Sequence, residues 1–276
     1  MTLITYLGRK MIYEHFNGAF IPVLSSLIWA SLIGLASFFL VYKTKLFDAL
    51  NICPLVPPFL ALPAIMFAFL MGFMSAESWQ NYSHGRAALI NETAALVRIL
   101  NVPIKPEILQ TKSNAYVKSY LESVINEEWL AKHNESSSLE AQEALKNLEI
   151  TIWQANAACT DGASNQASCT SSVATSALIK AVDDLQIARQ ERLSLGYQGT
   201  SSVKWFLGIM LGFISAISVV AVHKHNQKTG VIALMLFCIS MWMTFSMVTL
   251  YINPYKWTQT LKPVPLVSIL ETIKRD

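Results

Sequence analysis

Residues 52–76 read ICPLVPPFLALPAIMFAFLMGFMSA, 25 positions without one charged side chain. A helix rises about 1.5 Å per residue, so about 20 residues cross a hydrocarbon core about 30 Å thick. Helical backbone also satisfies its own N–H and C=O groups where no water can reach them. Three other uncharged stretches, 20–42, 205–222 and 230–252, are 23, 18 and 23 residues long. The whole chain agrees: of 276 residues 53% are hydrophobic and 14% charged, with mean hydropathy +0.39, a balance foreign to a water-soluble domain. That composition excludes a disordered chain and a secreted disulfide scaffold. A net charge of +3, with no basic run interleaved with aromatics, excludes a nucleic-acid-binding surface. The expected fold is an all-α membrane protein, four transmembrane helices in two hairpins with a helical extramembrane domain between spans two and three.

The expected organisation is an N-terminal segment (1–19), a first hairpin (20–76), the extramembrane domain (77–202), a second hairpin (203–252) and a C-terminal tail (253–276). The first apolar stretch is too long for a signal-peptide core and has no small-residue cleavage site, so it is read as a retained span. Trp29, Tyr42, Trp79, Trp205, Tyr251 and Trp257 mostly fall near span ends, where an amphipathic ring prefers the headgroup zone, while Trp242 lies deep and is read as a packing residue.

In the middle domain, Tyr116, Val117, Tyr120, Leu121, Val124 and Ile125 run at helical spacing into Glu128 and Trp129. Leu145, Leu148, Ile152 and Ala155 follow the same period, as do Leu178, Val182, Leu185 and Leu193. Val102-Pro103 and Lys105-Pro106 break the helix leaving the second span, and 134–138 reads as a polar turn. Between Ala155 and Ser176 the composition collapses to small residues around Cys159 and Cys169, which predicts a loop. Those two cysteines are close enough in sequence to pair in an oxidising compartment; the other reading is two free thiols. An even number of spans puts the middle domain and both termini on one side. The basic residues do not decide which side, because the short hairpin loops and the domain flanks both carry them, and the middle segment's net charge is −4.

Several short motifs occur in order. Phe67-Ala68-Phe69-Leu70-Met71-Gly72-Phe73 precedes Trp79 and then Asn91-Glu92-Thr93-Ala94-Ala95-Leu96. Tyr116 and Val124 lead to Asn126-Glu127-Glu128-Trp129; Arg189, Arg192 and Leu193 precede Val203-Lys204-Trp205; Asn253-Pro254-Tyr255 is followed by Val264-Pro265. Together they resemble the bacterial bestrophin-like domain family, a membrane domain of unknown function that distantly resembles the bestrophin anion channels. The chain departs from that pattern in the small-residue loop around Cys159, in Asn253 where Asp is usual, and in Tyr255 in place of Phe. The resemblance implies a homo-oligomer, a pentamer by analogy, in the bacterial inner membrane. It also implies a pore lined by the second span and its helical extension, passing inorganic ions.

Ile65, Phe69 and Phe73 fall at i, i+4 and i+8 on one face of the second span. The resemblance implies that they form a hydrophobic neck, which would gate by dewetting and offer aromatic edges to a dehydrated anion. The competing reading is a stripe packed against lipid or a neighbouring helix. Glu77, one turn beyond Phe73, and Asn81 are candidates for the pore mouth. A ring of bare Glu77 carboxylates would favour cations, against the bestrophin precedent; alternatively Glu77 points to headgroups or pairs with a basic residue. Glu92 is expected to meet Arg189 or Arg192 on the helix returning to the membrane, as a structural pair.

No Walker loop, G-x-S-x-G or His-Glu-x-x-His motif is present, so no enzyme, cofactor or metal site is expected. His223 and His225 flank Lys224 and read as solvated loop residues, and Glu127-Glu128 lacks the acidic cluster of a calcium clasp. Two functional classes follow: a homo-oligomeric ion channel, or a non-conducting membrane scaffold whose helical domain binds a partner protein.

Overall fold

The computed structural model describes residues 3–44, 57–160, 170–197, 202–224, 226–256 and 261–275, and the side chains of all of these except 3–19, 57–60 and 158–160. Among the described residues the structure is helical, without a strand. The helices are α1 (Leu3–Tyr42), α2 (Pro57–Asn101), α3 (Glu107–Ser123), α4 (Leu139–Thr160), α5 (Ser172–Tyr197), α6 (Ser202–Val222), α7 (Gln227–Tyr251) and α8 (Val264–Ile273), with a π-helical turn, Val124–Ala131, continuing α3. Four stretches are long and apolar enough to span a membrane: Phe20–Tyr42, Ala61–Asn101, Ser202–Val222 and Gln227–Tyr251. Helix α1 begins at Leu3, well ahead of its apolar part. The loop expected from Ala155 to Ser176 is shorter at both ends, because α4 runs on to Thr160 and α5 begins at Ser172. Alanine has the highest helix propensity, and Ala155, Ala157 and Ala158 let α4 continue.

The chain divides into two compact units, one of residues 1–81 and 199–259, the other of 82–198 and 260–276. In the first, Ala30, Ile33, Phe67, Met71, Met74, Ala216, Val220, Met241, Phe245 and Val248 form a buried core. Small residues set how closely these helices approach. A β-carbon on Gly212 of α6 would lie 3.0 Å from Met241 Sδ and 3.3 Å from the Phe67 ring, so α6 meets its neighbours through bare backbone. Phe67 fits there at ring-centroid distances of 5.9 Å from Phe237 and 6.0 Å from Phe245. Hydroxyls inside the spans bond to their own helices, Ser37 donating to the Ile33 carbonyl at 2.8 Å and Ser218 to that of Ile214 at 2.9 Å, so no solvent is needed. Trp242 packs in the span and also donates its indole N–H to the Val23 carbonyl at 3.1 Å.

In the second unit α4 packs against α3 and α5, and α8 packs against α3. Leu96, Ile99, Val117, Leu121, Leu148, Ile152, Leu178, Leu185 and Leu266 are buried there. Helix α2 ends at Asn101, and the backbone N–H of Ile104, between the two prolines, finds the Gln110 side chain at 2.6 Å. The π-helical turn is followed by His133 and Asn134, whose φ values of 49° and 60° are left-handed, a conformation that Asn tolerates better than most residues.

Candidate functional site

Successive residues of a helix turn by about 100°, so Ile65, Phe69 and Phe73 occupy a sector about 80° wide, and Phe67, Met71, Met74 and Ser78 lie roughly opposite. The fold treats these two faces differently. Phe67, Met71, Met74 and Ser78 are 7, 2, 2 and 3% exposed, whereas Ile65, Phe69 and Phe73 are 48, 64 and 72% exposed. Gly72, between the two phenylalanines, faces open space. The span containing this stripe is the least buried of the four. The helix is therefore clamped along one side and bears an uncovered apolar stripe along the other.

One turn beyond Phe73, Glu77 receives Lys204 Nζ at 2.7 Å and 2.6 Å on its two carboxylate oxygens. Lys204 stands in the first turn of α6, which the Gly208 and Gly212 contacts hold beside α2. The pair sits half exposed, 42% on each side chain. Asn81, the other pore-mouth candidate, is half-buried and Gln80 is exposed. No other charged residue lies between Asp48 and Arg86, nor any besides Lys204 between Arg192 and Lys224. That double isolation was a readable sign of the pairing.

The second unit contains a buried ionic network. Arg192, with no exposed side chain, donates from Nε to Glu92 Oε2 at 2.7 Å, from Nη2 to Glu92 Oε1 at 3.1 Å and to Glu128 Oε2 at 2.8 Å. Its Nη1 bonds to Asn134 Oδ1, and its guanidinium lies 5.2 Å from the Trp129 ring centre. Arg189 donates to Glu128 Oε1 at 2.5 Å, Tyr120 donates to Glu92 Oε1 at 2.6 Å, and the Ser138 backbone N–H reaches Glu128 Oε1 at 2.9 Å. Two carboxylates and two guanidinium groups leave the cluster formally neutral, which makes its burial tolerable. So Glu92 meets Arg192 directly, while Arg189 goes to Glu128.

The environment moves the titrations in consistent directions. Burial opposes the charged form of Arg192, but Glu92, Tyr120 and Glu128 outweigh it and hold the guanidinium protonated more firmly than usual. Burial likewise opposes the Glu128 carboxylate, and Arg192 with Arg189 overcomes it, bringing its pKa below the ordinary value. The Tyr120 hydroxyl is pushed well above its usual pKa by burial and by the Glu92 charge. These groups are locked in one protonation state near neutrality, which suits a fastener between helices better than acid–base chemistry.

Glu128, Tyr120 and Asn134 were not singled out as members of this network. Helical spacing puts Tyr120 and Glu128 on a buried face, but the π-helical turn that aims Glu128 inward beside Trp129 has no local sequence sign. Glu127 bonds to the Ser138 hydroxyl at 2.6 Å, and among the described residues no three His, Cys, Asp or Glu gather as metal ligands would. His223 is tied through Nδ1 to the Val219 carbonyl at 2.9 Å, and His225 lies outside the described residues. The proposed disulfide also falls outside them, because neither the Cys159 side chain nor any part of Cys169 is described.

A family model described as the Bestrophin-like domain matches residues 30–265 of the chain. Among solved structures, three single-site variants of a bacterial Bestrophin homolog from Klebsiella pneumoniae are similar, with TM-scores of 0.65, 0.64 and 0.63 at 14, 14 and 15% identity. Each of those alignments covers 92% of this chain and 96% of the other, a likeness of fold along nearly the whole length. No curated protein matches.

Proposed function

The chain belongs to the Bestrophin-like domain family, and from that premise we propose that it is one subunit of a homo-oligomeric ion channel. In the proposed assembly, a pentamer in the bacterial inner membrane, the Ile65, Phe69 and Phe73 faces of neighbouring α2 helices meet round a common axis. The observation that supports this reading is the uncovered aromatic stripe, opposite the face by which α2 is anchored in its own subunit. Rings of Ile and Phe would form a dry constriction whose wetting gates the pathway, and the positive edges of the rings would favour anions over cations. Glu77 and Asn81 would lie at its mouth, with Glu77 neutralised by Lys204. The buried network of Glu92, Arg189 and Arg192 serves this function indirectly by fastening α2 to α5 within the second unit.

Purified protein in planar bilayers should carry anion current, and Phe69→Ala and Phe73→Ala should each raise the conductance or the open fraction by removing the dewetting barrier. Particles imaged in lipid should show the stripe facing the symmetry axis. A stripe turned outward to acyl chains, a monomer or dimer in mild detergent, or bilayers that stay silent would refute the proposal.

A further inference from the structure

We infer that Lys204 acts as a charge clamp on Glu77, setting the ion preference of the pathway by cancelling the one carboxylate beside its aromatic constriction. The inference rests on the channel reading above and concerns a residue outside the proposed neck. Three observations carry it.

The first is the row Ile65, Phe69, Phe73, Glu77, in which the carboxylate continues the i, i+4 series of the stripe by one step, about 6 Å along the helix axis. An ion leaving the aromatic rings on that side would come within a Debye length, about 8 Å, of Glu77. The second is isolation. Glu77 is the only charged side chain from residue 49 to 85, and Lys204 the only one from 193 to 223, so nothing else in either stretch offsets either charge. The third is geometry. Lys204 Nζ contacts both carboxylate oxygens, at 2.6 Å and 2.7 Å, so the cation sits directly against the carboxylate in a charge-assisted bond.

Half-exposed ion pairs of this kind add little to folding. What the pair changes is the sign of the potential at the mouth. With Lys204 present, each subunit contributes a compact dipole; without it, each contributes a full negative charge, multiplied by the number of subunits. Cations would then concentrate where anions had been admitted.

The test measures reversal potentials under a salt gradient for channels in planar bilayers. Lys204→Gln should raise the cation-to-anion permeability ratio by on the order of tenfold, the combined effect of several uncompensated charges beside the pathway. Glu77→Gln should shift the ratio the opposite way, because it leaves the lysine bare, and the double variant should return it towards that of the unmodified channel. Lys204→Arg keeps the charge and should change little. Opposite shifts with mutual cancellation support the clamp, since a general loss of structure would not reverse sign between the two partners. Currents whose reversal potential is the same in all four variants overturn this inference and leave the channel reading standing. Silence of the unmodified protein overturns the channel reading, and the clamp with it.

Discussion

Replacing Arg192 by methionine keeps most of the apolar stem in place and removes only the guanidinium. Three donor contacts vanish from two carboxylates. Glu128 keeps Arg189 at 2.5 Å and the Ser138 N–H at 2.9 Å, so it stays compensated. Glu92, with no exposed surface, keeps only the Tyr120 hydroxyl. A buried carboxylate left without its cation costs about 3–5 kcal/mol.

At about 2–4 °C per kcal/mol, the variant in detergent should melt about 10 °C below the unmodified protein near neutral pH. Intrinsic fluorescence or light scattering during a thermal ramp reads this directly. A deficit under about 2 °C would refute the claim that Arg192 compensates the buried Glu92 carboxylate.

In the unmodified protein the folded pKa of Glu128 is depressed, so its contribution is complete above the unfolded value of about 4.3 and is lost as pH falls through the folded one. The melting temperature should stay flat down to about pH 5 and drop below about pH 4, and a decline beginning near pH 6 would contradict it. Tyr120→Phe deletes a 2.6 Å donor to a buried charge and should cost about 1.5–3 kcal/mol, measured by the same thermal ramp; a neutral outcome would mean that Glu92 does not need that bond. Two glycines should respond differently. A β-carbon on Gly196 would overlap the Asn134 backbone carbonyl, which cannot swing away, so Gly196→Ala should lower stability by about 3 kcal/mol or abolish folding. Gly212→Ala meets two side chains, Met241 at 3.0 Å and the Phe67 ring at 3.3 Å, which give more readily than backbone, and should cost about 1–2 kcal/mol; equal effects from the two substitutions would contradict this packing argument.

Span positions were legible because lipid imposes a length and a composition that local sequence must meet. The uncharged stretches 20–42, 205–222 and 230–252 fall inside their apolar helices to within one residue, and the described helix of the fourth takes in residues 61–76, while 52–56 lie outside the described residues. The proline-marked end of α2 was legible for a similar reason, since proline's missing N–H acts within one turn. The stripe of Ile65, Phe69 and Phe73 was visible as a spacing, but its exposure was not: Phe67 and Phe69 look alike in the sequence and differ ninefold in exposed surface, 7% against 64%. Which phenylalanine is covered depends on Gly212, Phe237 and Phe245, all more than 140 residues away in the chain.

Charge shows the same division. Composition and periodicity were enough to establish a four-span helical membrane protein with a helical domain between its hairpins, because burial in lipid and helix geometry are read residue by residue along the chain. Partner choice was left to tertiary packing. Glu77 found Lys204 across 127 residues, and Arg192 bridged Glu92 and Glu128 through a π-helical turn with no sequence mark, because Coulomb energy depends on distances that exist only once the helices are laid side by side.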